Sequence, residues 1–176
     1  MGLHYQILLP MLSLFLVRVD LTDLYPLRVP VKVLKIYDGD TLLVRYGKQD
    51  LKVRVVKIDS PEMGQPFFGS SQDAGLYSRN CLLKFLNMNS FHVLTIEKRD
   101  VYGRVLGDLD GLSLKLIQKG CTTLYPYASF RSRKEKLNYV VSLNQAKSKR
   151  IGIWRHGGFR QPKLWRKFNK QNVGRQ

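Results

Sequence analysis

Acidic residues are scarce in this chain. Its 176 residues include 13 Asp and Glu against 30 Lys and Arg, which leaves a formal net charge of +17 at pH 7. A field of this sign attracts polyanions such as nucleic acid or an anionic membrane surface. Charge alone does not separate a catalyst from a structural binding protein, so the few acidic residues carry the information about chemistry.

Cysteine and histidine are scarcer still. Cys81 and Cys121 lie 40 residues apart, without the close spacing of zinc ligands, which argues against a zinc site. Two separately buried thiols are the favoured interpretation, and a disulfide is the alternative if the chain is exported. The three histidines, His4, His92 and His156, are scattered along the chain, and we assign none of them a catalytic role.

The length and composition suit one folded domain with short tails. Hydrophobic residues make up 44% of the chain and aromatic residues 11%, which is ordinary for a globular protein and argues against disorder. We expect an apolar N-terminal segment at residues 1–26, a folded domain at residues 27–156 and a basic C-terminal tail at residues 157–176.

The N-terminal segment contains one long apolar run, residues 5–17 (YQILLPMLSLFLV). The run has the length of the hydrophobic part of an export signal and is too short to span a bilayer comfortably. No Lys or Arg precedes it, and no small-x-small cleavage site follows it. We favour a secreted, cell-envelope or periplasmic protein. A wrongly chosen start codon, a strand packed on the domain and a cytoplasmic protein stay open.

Hydrophobic periodicity predicts five strands and about three helices. The strands are residues 31–46 with a break at 38–40, then 51–58, 91–98 and 105–109. The helices are residues 71–88 with Ser70 or Ser71 as the cap, 112–119 closed by Gly120, and 142–150. This order favours an α+β fold built on a small five-stranded barrel of the OB type, a fold that binds oligonucleotides in many proteins. Because a fold does not confer an activity, function must be argued from the site.

Charged residues concentrate in three segments where strands end, namely residues 38–41 (DGDT), 54–62 and 100–104. Hydrolysis of a phosphodiester needs a group that holds a metal, a group that activates water, and cations that stabilise the charge on the phosphoryl oxygens. The three segments supply all of these. The hard oxygen ligands suited to calcium are Asp40 and Asp59, the candidate base is Glu62, and the phosphate-binding cations are Arg54 and Arg104.

Each of these residues also has a structural explanation. Asp-Gly is a common hairpin-turn pair, which alone would account for Asp38 and Asp40. Residues 59–62 would serve equally as a strand terminator. Arg54 is harder to explain in this way, because alternation along the strand turns it to the face opposite Val53 and Val55, and a charge inside a barrel needs an anionic partner.

The three motifs resemble the staphylococcal-nuclease-like, or thermonuclease, family. The matches are DGDT at residues 38–41, R-x4-D-[TS]-P-E at residues 54–62 and Y-G-R at residues 102–104, in the order and spacing of the family. The resemblance covers roughly residues 31–154. It implies an OB-fold nuclease domain that hydrolyses DNA and RNA with little sequence specificity, favours single strands, cleaves the 5′ P–O bond and leaves 3′-phosphates.

The resemblance also implies a role for each matching residue. Calcium would be held by the carboxylates of Asp40 and Asp59 and the backbone carbonyl of Ser60, where the family usually has threonine. Glu62 matches the proposed general base. The phosphate clamp matches Arg54 and Arg104, and the nucleotide pocket matches Tyr102, Tyr125 and Tyr127. We expect a monomer that binds calcium and nucleic acid and needs no small-molecule cofactor.

This sequence departs from the family at two places. Val101 stands where a better-studied member has a lysine, and the loop at residues 63–69 is shorter, so neither substrate affinity nor end preference carries over. Tyr125 and Tyr127, taken singly, could equally be packing residues.

Two other functions are consistent with parts of the sequence. Some domains of this family keep the barrel, lose catalysis and bind nucleic acid or protein, but those domains typically lack the acidic and arginine residues present here. A basic membrane-surface protein anchored by its apolar N-terminus would leave these residues unexplained.

The basic residues outside the motifs are interpreted as a solvated surface that adds sequence-independent phosphate contacts. They are Arg131, Arg133, Lys134, Lys136, Arg160, Lys163, Arg166, Lys167 and Lys170. Trp165 and Phe168 within the tail would either stack on bases or dock on the domain, and the sequence does not decide between these.

Overall fold

Five strands close into a barrel in the computed structural model, which describes residues 26–173. The elements are β1 (Leu27–Ile36), β2 (Thr41–Tyr46), β3 (Gln49–Val55), β4 (Ile58–Asp59), α1 (Ala74–Phe85), β5 (Phe91–Arg99), β6 (Val105–Leu109), α2 (Leu112–Gln118), β7 (Thr123–Leu124), α3 (Arg133–Ser148), a 3-10 turn (Gly152–Trp154) and α4 (Pro162–Val173). The predicted export run at residues 5–17 lies outside the described residues. No helix within residues 26–173 is long and apolar enough to cross a membrane.

The barrel strands follow the order β1-β2-β3-β6-β5. Neighbours pair antiparallel except β3 and β6, which run parallel with Val53 opposite Val105. The barrel closes where β5 returns to β1 and Leu27 pairs with Ile96. The predicted α+β fold with a five-stranded OB-type barrel is therefore confirmed.

Alternating side chains of the strands fill the barrel. Along β1, Val29, Val31 and Val33 are buried while their neighbours face outward, because successive side chains of a strand point to opposite faces. Leu82 of α1 and Leu116 of α2 belong to the same core, which packs these helices against the barrel. Full burial of such a side chain contributes about 1.5–3 kcal/mol.

The third strand ends earlier than predicted. The prediction ran to Ile58, but β3 stops at Val55, and the chain turns at Lys57, whose φ of 67° lies in the left-handed region. The Lys57 ammonium is buried and lies 2.6 Å from a carboxylate oxygen of Glu97. This ion pair stabilises a turn that local sequence does not favour. After the turn, β4 pairs with β7 in a separate small sheet.

Helix ends also differ from the predicted ones. α1 begins after Asp73, whose side chain accepts a hydrogen bond from Leu76 N at 3.0 Å, so neither Ser70 nor Ser71 is the cap. α3 starts at residue 133, nine residues before its predicted start, because Ser132 accepts a bond from the Glu135 N–H at 3.1 Å and caps it. α4 lies in the tail for which no helix was predicted, and with it the described residues 26–173 contain four α-helices.

Cys81 and Cys121 form a disulfide between α1 and the segment after α2. The favoured interpretation of two separate thiols was therefore wrong. Both residues are buried in the main core, and the cross-link closes a loop across a sequence separation of 40 residues.

Replacing both cysteines by alanine should lower the free energy of unfolding by about 2–4 kcal/mol, because the unfolded chain regains the entropy that the cross-link removes. Guanidinium unfolding of the oxidised wild type and of the Cys81→Ala, Cys121→Ala double variant measures this difference. Reduced wild type is the matched control and should fall to a similar stability. Equal stability of all three samples would show that the cross-link contributes nothing to the fold.

Candidate active site

A pocket of about 600 Å³ opens at the rim of the barrel, where the β1–β2 turn, the end of β3 and the β5–β6 turn meet. It brings together eight of the nine predicted site residues, namely Asp40, Arg54, Ser60, Glu62, Tyr102, Arg104, Tyr125 and Tyr127. The ninth, Asp59, does not line the pocket and is 1% exposed, in contact with Arg54 and Arg166, which do line it. Residues from distant parts of the chain thus converge on one cavity.

The β1–β2 turn fixes the carboxylate of Asp40. One carboxylate oxygen accepts a bond from Thr41 Oγ1 at 3.0 Å, and the other accepts one from the Ser60 N–H at 2.8 Å. Asp38 accepts the Asp40 N–H at 2.9 Å, so it makes the turn that the structural explanation assigned to it. A Cβ on Gly39 would lie 2.0 Å from Ser78 Oγ, which excludes any larger residue there without movement.

Arg54 joins the two buried carboxylates. Its Nη1 lies 3.2 Å from Asp40 Oδ2, and its Nη2 lies 3.3 Å from Asp59 Oδ1. Nη1 also donates to the Val55 carbonyl at 3.0 Å, which fixes the plane of the guanidinium. The anionic partner that an inward-facing charge requires is therefore a pair of carboxylates.

Acidic and basic side chains line the pocket together, and burial affects the carboxylates in it and beside it. Burial raises the pKa of Asp59, and the charge on Asp40 adds to this, although Arg166 and Arg54 oppose it. Burial likewise raises the pKa of Asp38 to about 6, again with a contribution from Asp40. Each neighbouring carboxylate makes the next one costlier to ionise, so a cation in this space would be stabilised.

The donor atoms fit a hard cation such as calcium. The carboxylates of Asp40 and Asp59 and the carbonyl of Ser60 are oxygen ligands, which Ca²⁺ prefers over sulfur or imidazole. Within residues 26–173, no three His, Cys, Asp or Glu side chains lie close enough together to hold a metal ion by themselves. A calcium ion here would therefore need backbone carbonyl and water oxygens to complete its coordination.

Glu62 is positioned through its backbone by residues that the motifs do not include. Its N–H donates to Gln65 Oε1 at 3.1 Å, and its carbonyl accepts the Gln65 N–H at 3.0 Å. Gly75 of α1 packs so closely that a Cβ there would lie 2.0 Å from the Glu62 carbonyl oxygen. Gln65 is fully buried, and its amide also donates to the carbonyl of Arg160 in the tail.

Arg104 is held by Asp100 across the β5–β6 turn. Its Nε donates to Asp100 Oδ2 at 2.8 Å, and its backbone N–H donates to Oδ1 at 2.9 Å. Desolvation of Asp100 is outweighed by these bonds, which lower the pKa of its carboxyl. The Nη groups of Arg104 make no hydrogen bond to any other described residue, and its guanidinium lies 5.7 Å from the Tyr102 ring. Asp100 is thus a positioning residue that the sequence analysis did not single out.

The three predicted tyrosines present their rings to solvent. Tyr102 is 82% exposed and Tyr127 is 67% exposed, whereas Tyr125 is 38% exposed and packs edge-on against Tyr127 with ring centroids 5.7 Å apart. These residues are therefore not core side chains. Lys163 of α4 donates to the Tyr127 hydroxyl at 2.6 Å, which lowers the pKa of that phenol.

Arg166 of α4 also enters the pocket, a contact that was not predicted, although its side chain stays 43% exposed. Its guanidinium lies 3.3 Å from Asp59 Oδ2 and bonds to Glu62 Oε1. Arg166 lies 107 positions after Asp59 and 104 positions after Glu62 in the sequence, so no local sequence pattern predicts these contacts. By contrast, Arg133, Lys134, Lys136 and Lys167 are exposed as predicted.

Known proteins resemble this chain over most of its length. A family model described as staphylococcal nuclease homologue matches residues 52–156, more than half of the chain. A micrococcal nuclease of Shigella flexneri is 28% identical over 152 residues, which cover 79% of this chain and 81% of that protein. A thermonuclease of Staphylococcus intermedius is 28% identical over 130 residues, 69% of this chain and 74% of that protein. The matched family segment contains every predicted site residue except Asp40.

Replacing the buried Gln65 by methionine should destabilise the domain by about 1–3 kcal/mol, because the Glu62 N–H and the Arg160 carbonyl lose their partner while side-chain volume is kept. Chemical unfolding measures the loss, and limited proteolysis should cut the tail sooner. The control is Gln72→Met, since Gln72 is exposed. If Gln65→Met behaved like Gln72→Met, the amide would not anchor the loop that carries Glu62.

Proposed function

Because the chain belongs to the staphylococcal nuclease homologue family, we propose that it is a nuclease that hydrolyses the phosphodiester backbone of DNA and RNA. The observation that carries this proposal is the pairing of Arg54 with the buried carboxylates of Asp40 and Asp59. The same pocket holds a half-exposed Glu62 and the guanidinium of Arg104. Three relatives with nuclease or endonuclease in their names support it.

The reaction is proposed to depend on calcium. The oxygens of Asp40, Asp59 and Ser60 are the atoms that would hold it, as argued from their chemistry and burial. When bound, calcium would polarise the phosphate and offset the negative charge that builds on it. Because Arg54 already contacts both carboxylates, it keeps them in place before a metal arrives.

Glu62 is the proposed proton acceptor. Its side chain is 38% exposed, so water can reach it, and its backbone is fixed on both sides by Gln65. In this role it would orient the attacking water and accept its proton. The attack would be in line with the 5′ P–O bond and would leave a 3′-phosphate, as in the family.

Arg54 and Arg104 are the proposed phosphate clamp. A guanidinium can donate two parallel hydrogen bonds to phosphoryl oxygens, and these bonds strengthen as charge builds in the transition state. Asp100 binds only Nε and the backbone N–H of Arg104. The outer nitrogen atoms of this arginine therefore stay available for the phosphate.

Exposed tyrosines would bind the bases. A base can stack on Tyr102, Tyr125 or Tyr127 whatever its identity, since every base has a π-face. Stacking of this kind needs unpaired bases, which supports a preference for single strands and little sequence specificity. Because stacking does not distinguish one base from another, we propose that sequence context has little effect.

We also propose that the protein acts in an oxidising compartment, outside the cytoplasm. The disulfide between Cys81 and Cys121 supports this, because such bonds persist mainly in secreted and periplasmic proteins. The apolar run at residues 5–17 would serve as the export signal.

Glu62→Gln should lower cleavage of single-stranded DNA and RNA by about a hundredfold or more, because the amide cannot accept the proton. Cleavage is followed with calcium and with excess chelator, and chelator should abolish it in the wild type. The control is Asp50→Asn, which removes an exposed carboxylate paired with Arg45 away from the pocket.

The same experiment separates the runner-up function, a catalytically inactive binding module. Tight binding of an oligonucleotide without cleavage under any divalent metal would reject the nuclease and favour that module.

Asp100→Ala should lower cleavage by about tenfold with little loss of stability, because Arg104 keeps its charge but loses its fixed orientation. Rates on single-stranded DNA are compared with those of Asp50→Ala, which breaks an exposed pair with Arg45 instead. A wild-type rate in Asp100→Ala would mean that Asp100 does not position the clamp. A matching loss in Asp50→Ala would point to a general charge effect.

A further inference from the structure

The tail helix α4 contacts the pocket at the carboxylates that the proposed function uses. Arg166 Nη2 lies 3.3 Å from Asp59 Oδ2 and 3.4 Å from Asp59 Oδ1. Its Nη1 lies 3.4 Å from Asp59 Oδ1 and bonds to Glu62 Oε1. One guanidinium therefore engages both oxygens of a proposed metal ligand and one oxygen of the proposed base.

The same helix also contacts the aromatic side of the pocket. Lys163 donates to the Tyr127 hydroxyl at 2.6 Å, and its ammonium lies 4.8 Å from the centre of that ring. Lys163 and Arg166 are three residues apart on α4 and so lie on one helical face. Through these two residues, one face of α4 contacts both the carboxylates of Asp59 and Glu62 and the ring of Tyr127.

A firmly packed segment leads into α4. Phe67 pairs with Phe159, and the two lie in a small core with Ile153. The Arg160 carbonyl accepts the buried Gln65 amide. The chain is therefore anchored as far as Arg160, two residues before α4 starts at Pro162.

The helix itself is held less firmly than its anchor. Leu164 is 56% exposed and Phe168 is 43% exposed, and Trp165 stacks on Phe168 of the same helix with ring centroids 6.2 Å apart. Its described contacts with the pocket are polar, and the Arg166 side chain that makes most of them is itself 43% exposed. An element with few buried apolar contacts opens at low free-energy cost.

We propose that α4 is an autoinhibitory lid in which Arg166 competes with the divalent cation for Asp59 and Glu62. This inference rests on the proposed function, since it takes Asp59 as a metal ligand and Glu62 as the base. Arg54 contacts only Oδ1 of Asp59 and leaves Oδ2 free, whereas Arg166 contacts both oxygens, so a divalent cation at Asp59 would have to displace Arg166. The lid must therefore lift before the metal binds and before Glu62 can accept a proton.

The lid sets the apparent affinity for the metal. Only the fraction of molecules with the lid open can bind calcium, so the apparent dissociation constant equals the intrinsic one divided by that fraction. A lid closed in about nine molecules out of ten would weaken calcium binding about tenfold. Removing the guanidinium of Arg166 should restore this tenfold in calcium affinity. Removing the ammonium of Lys163, which contacts only Tyr127, should restore less.

The test is isothermal titration of the full chain with calcium alone. Arg166→Ala should bind calcium about tenfold more tightly than the wild type, and Lys163→Ala about two- to threefold more tightly. The matched control is Lys167→Ala, which removes one positive charge from an exposed site on the same helix and should leave the affinity unchanged. Equal tightening in Lys167→Ala would indicate a general charge effect and would overturn the lid.

A second readout follows the helix directly. Calcium should release α4 in the wild type and change the fluorescence of Trp165, with Trp165→Phe used to assign the signal. Arg166→Ala should show the released signal before calcium is added. A signal that calcium does not change in the wild type would overturn the lid.

The outcomes separate this inference from the proposed function. If Arg166→Ala binds calcium no more tightly than the wild type, while the wild type still cleaves DNA and loses calcium binding on Asp40→Asn, the lid alone is rejected. If Arg166→Ala in addition binds a short oligothymidylate more weakly than the wild type does, Arg166 is a substrate-binding residue instead. If no variant binds calcium and no cleavage occurs, both proposals are rejected.

Discussion

The pairing of Arg54 with Asp40 and Asp59 is the interaction on which the rest of the pocket depends. The two carboxylates are 7% and 1% exposed, and burying such charges without a partner costs several kcal/mol each. Arg54 contacts both of them from β3, so the barrel strand itself carries the compensating charge. Without Arg54, the closed barrel would hold two buried carboxylates that lack this cation. The position of β3 in the barrel therefore also determines the charge balance of the pocket.

Much of the barrel could be predicted, because alternation along a half-buried strand is a local pattern. The end of β3 could not. Valine and isoleucine continue the apolar pattern through residue 58, and the turn at Lys57 is stabilised by Glu97, 40 residues away. The disulfide could not be predicted either, since a spacing of 40 residues does not tell whether the two cysteines meet in the fold. Such features are set by contacts between distant residues, which a single sequence does not contain.

The same division holds within the pocket. Residues of the three motifs were found because each motif is short and its chemistry is recognisable, and the structure brings them to one cavity. Gln65, Asp100 and Arg166 were not found in this way. Gln65 is an ordinary amide in a loop, Asp100 was taken only as part of a turn, and Arg166 looked like one more cation in a basic tail. Their importance comes from what they touch.

The net charge of +17 and the carboxylates of the pocket impose opposite demands on the tail. A positive surface attracts a polyanion, whereas the carboxylates of Asp59 and Glu62 attract cations, and α4 supplies one that contacts both. A phosphate backbone arriving at α4 would compete with those carboxylates for Arg166 and Lys163. Under the lid proposed above, the substrate's own charge then helps to free the ligands that its hydrolysis requires. The basic tail would make the metal site responsive to nucleic acid without any specific contact to a base.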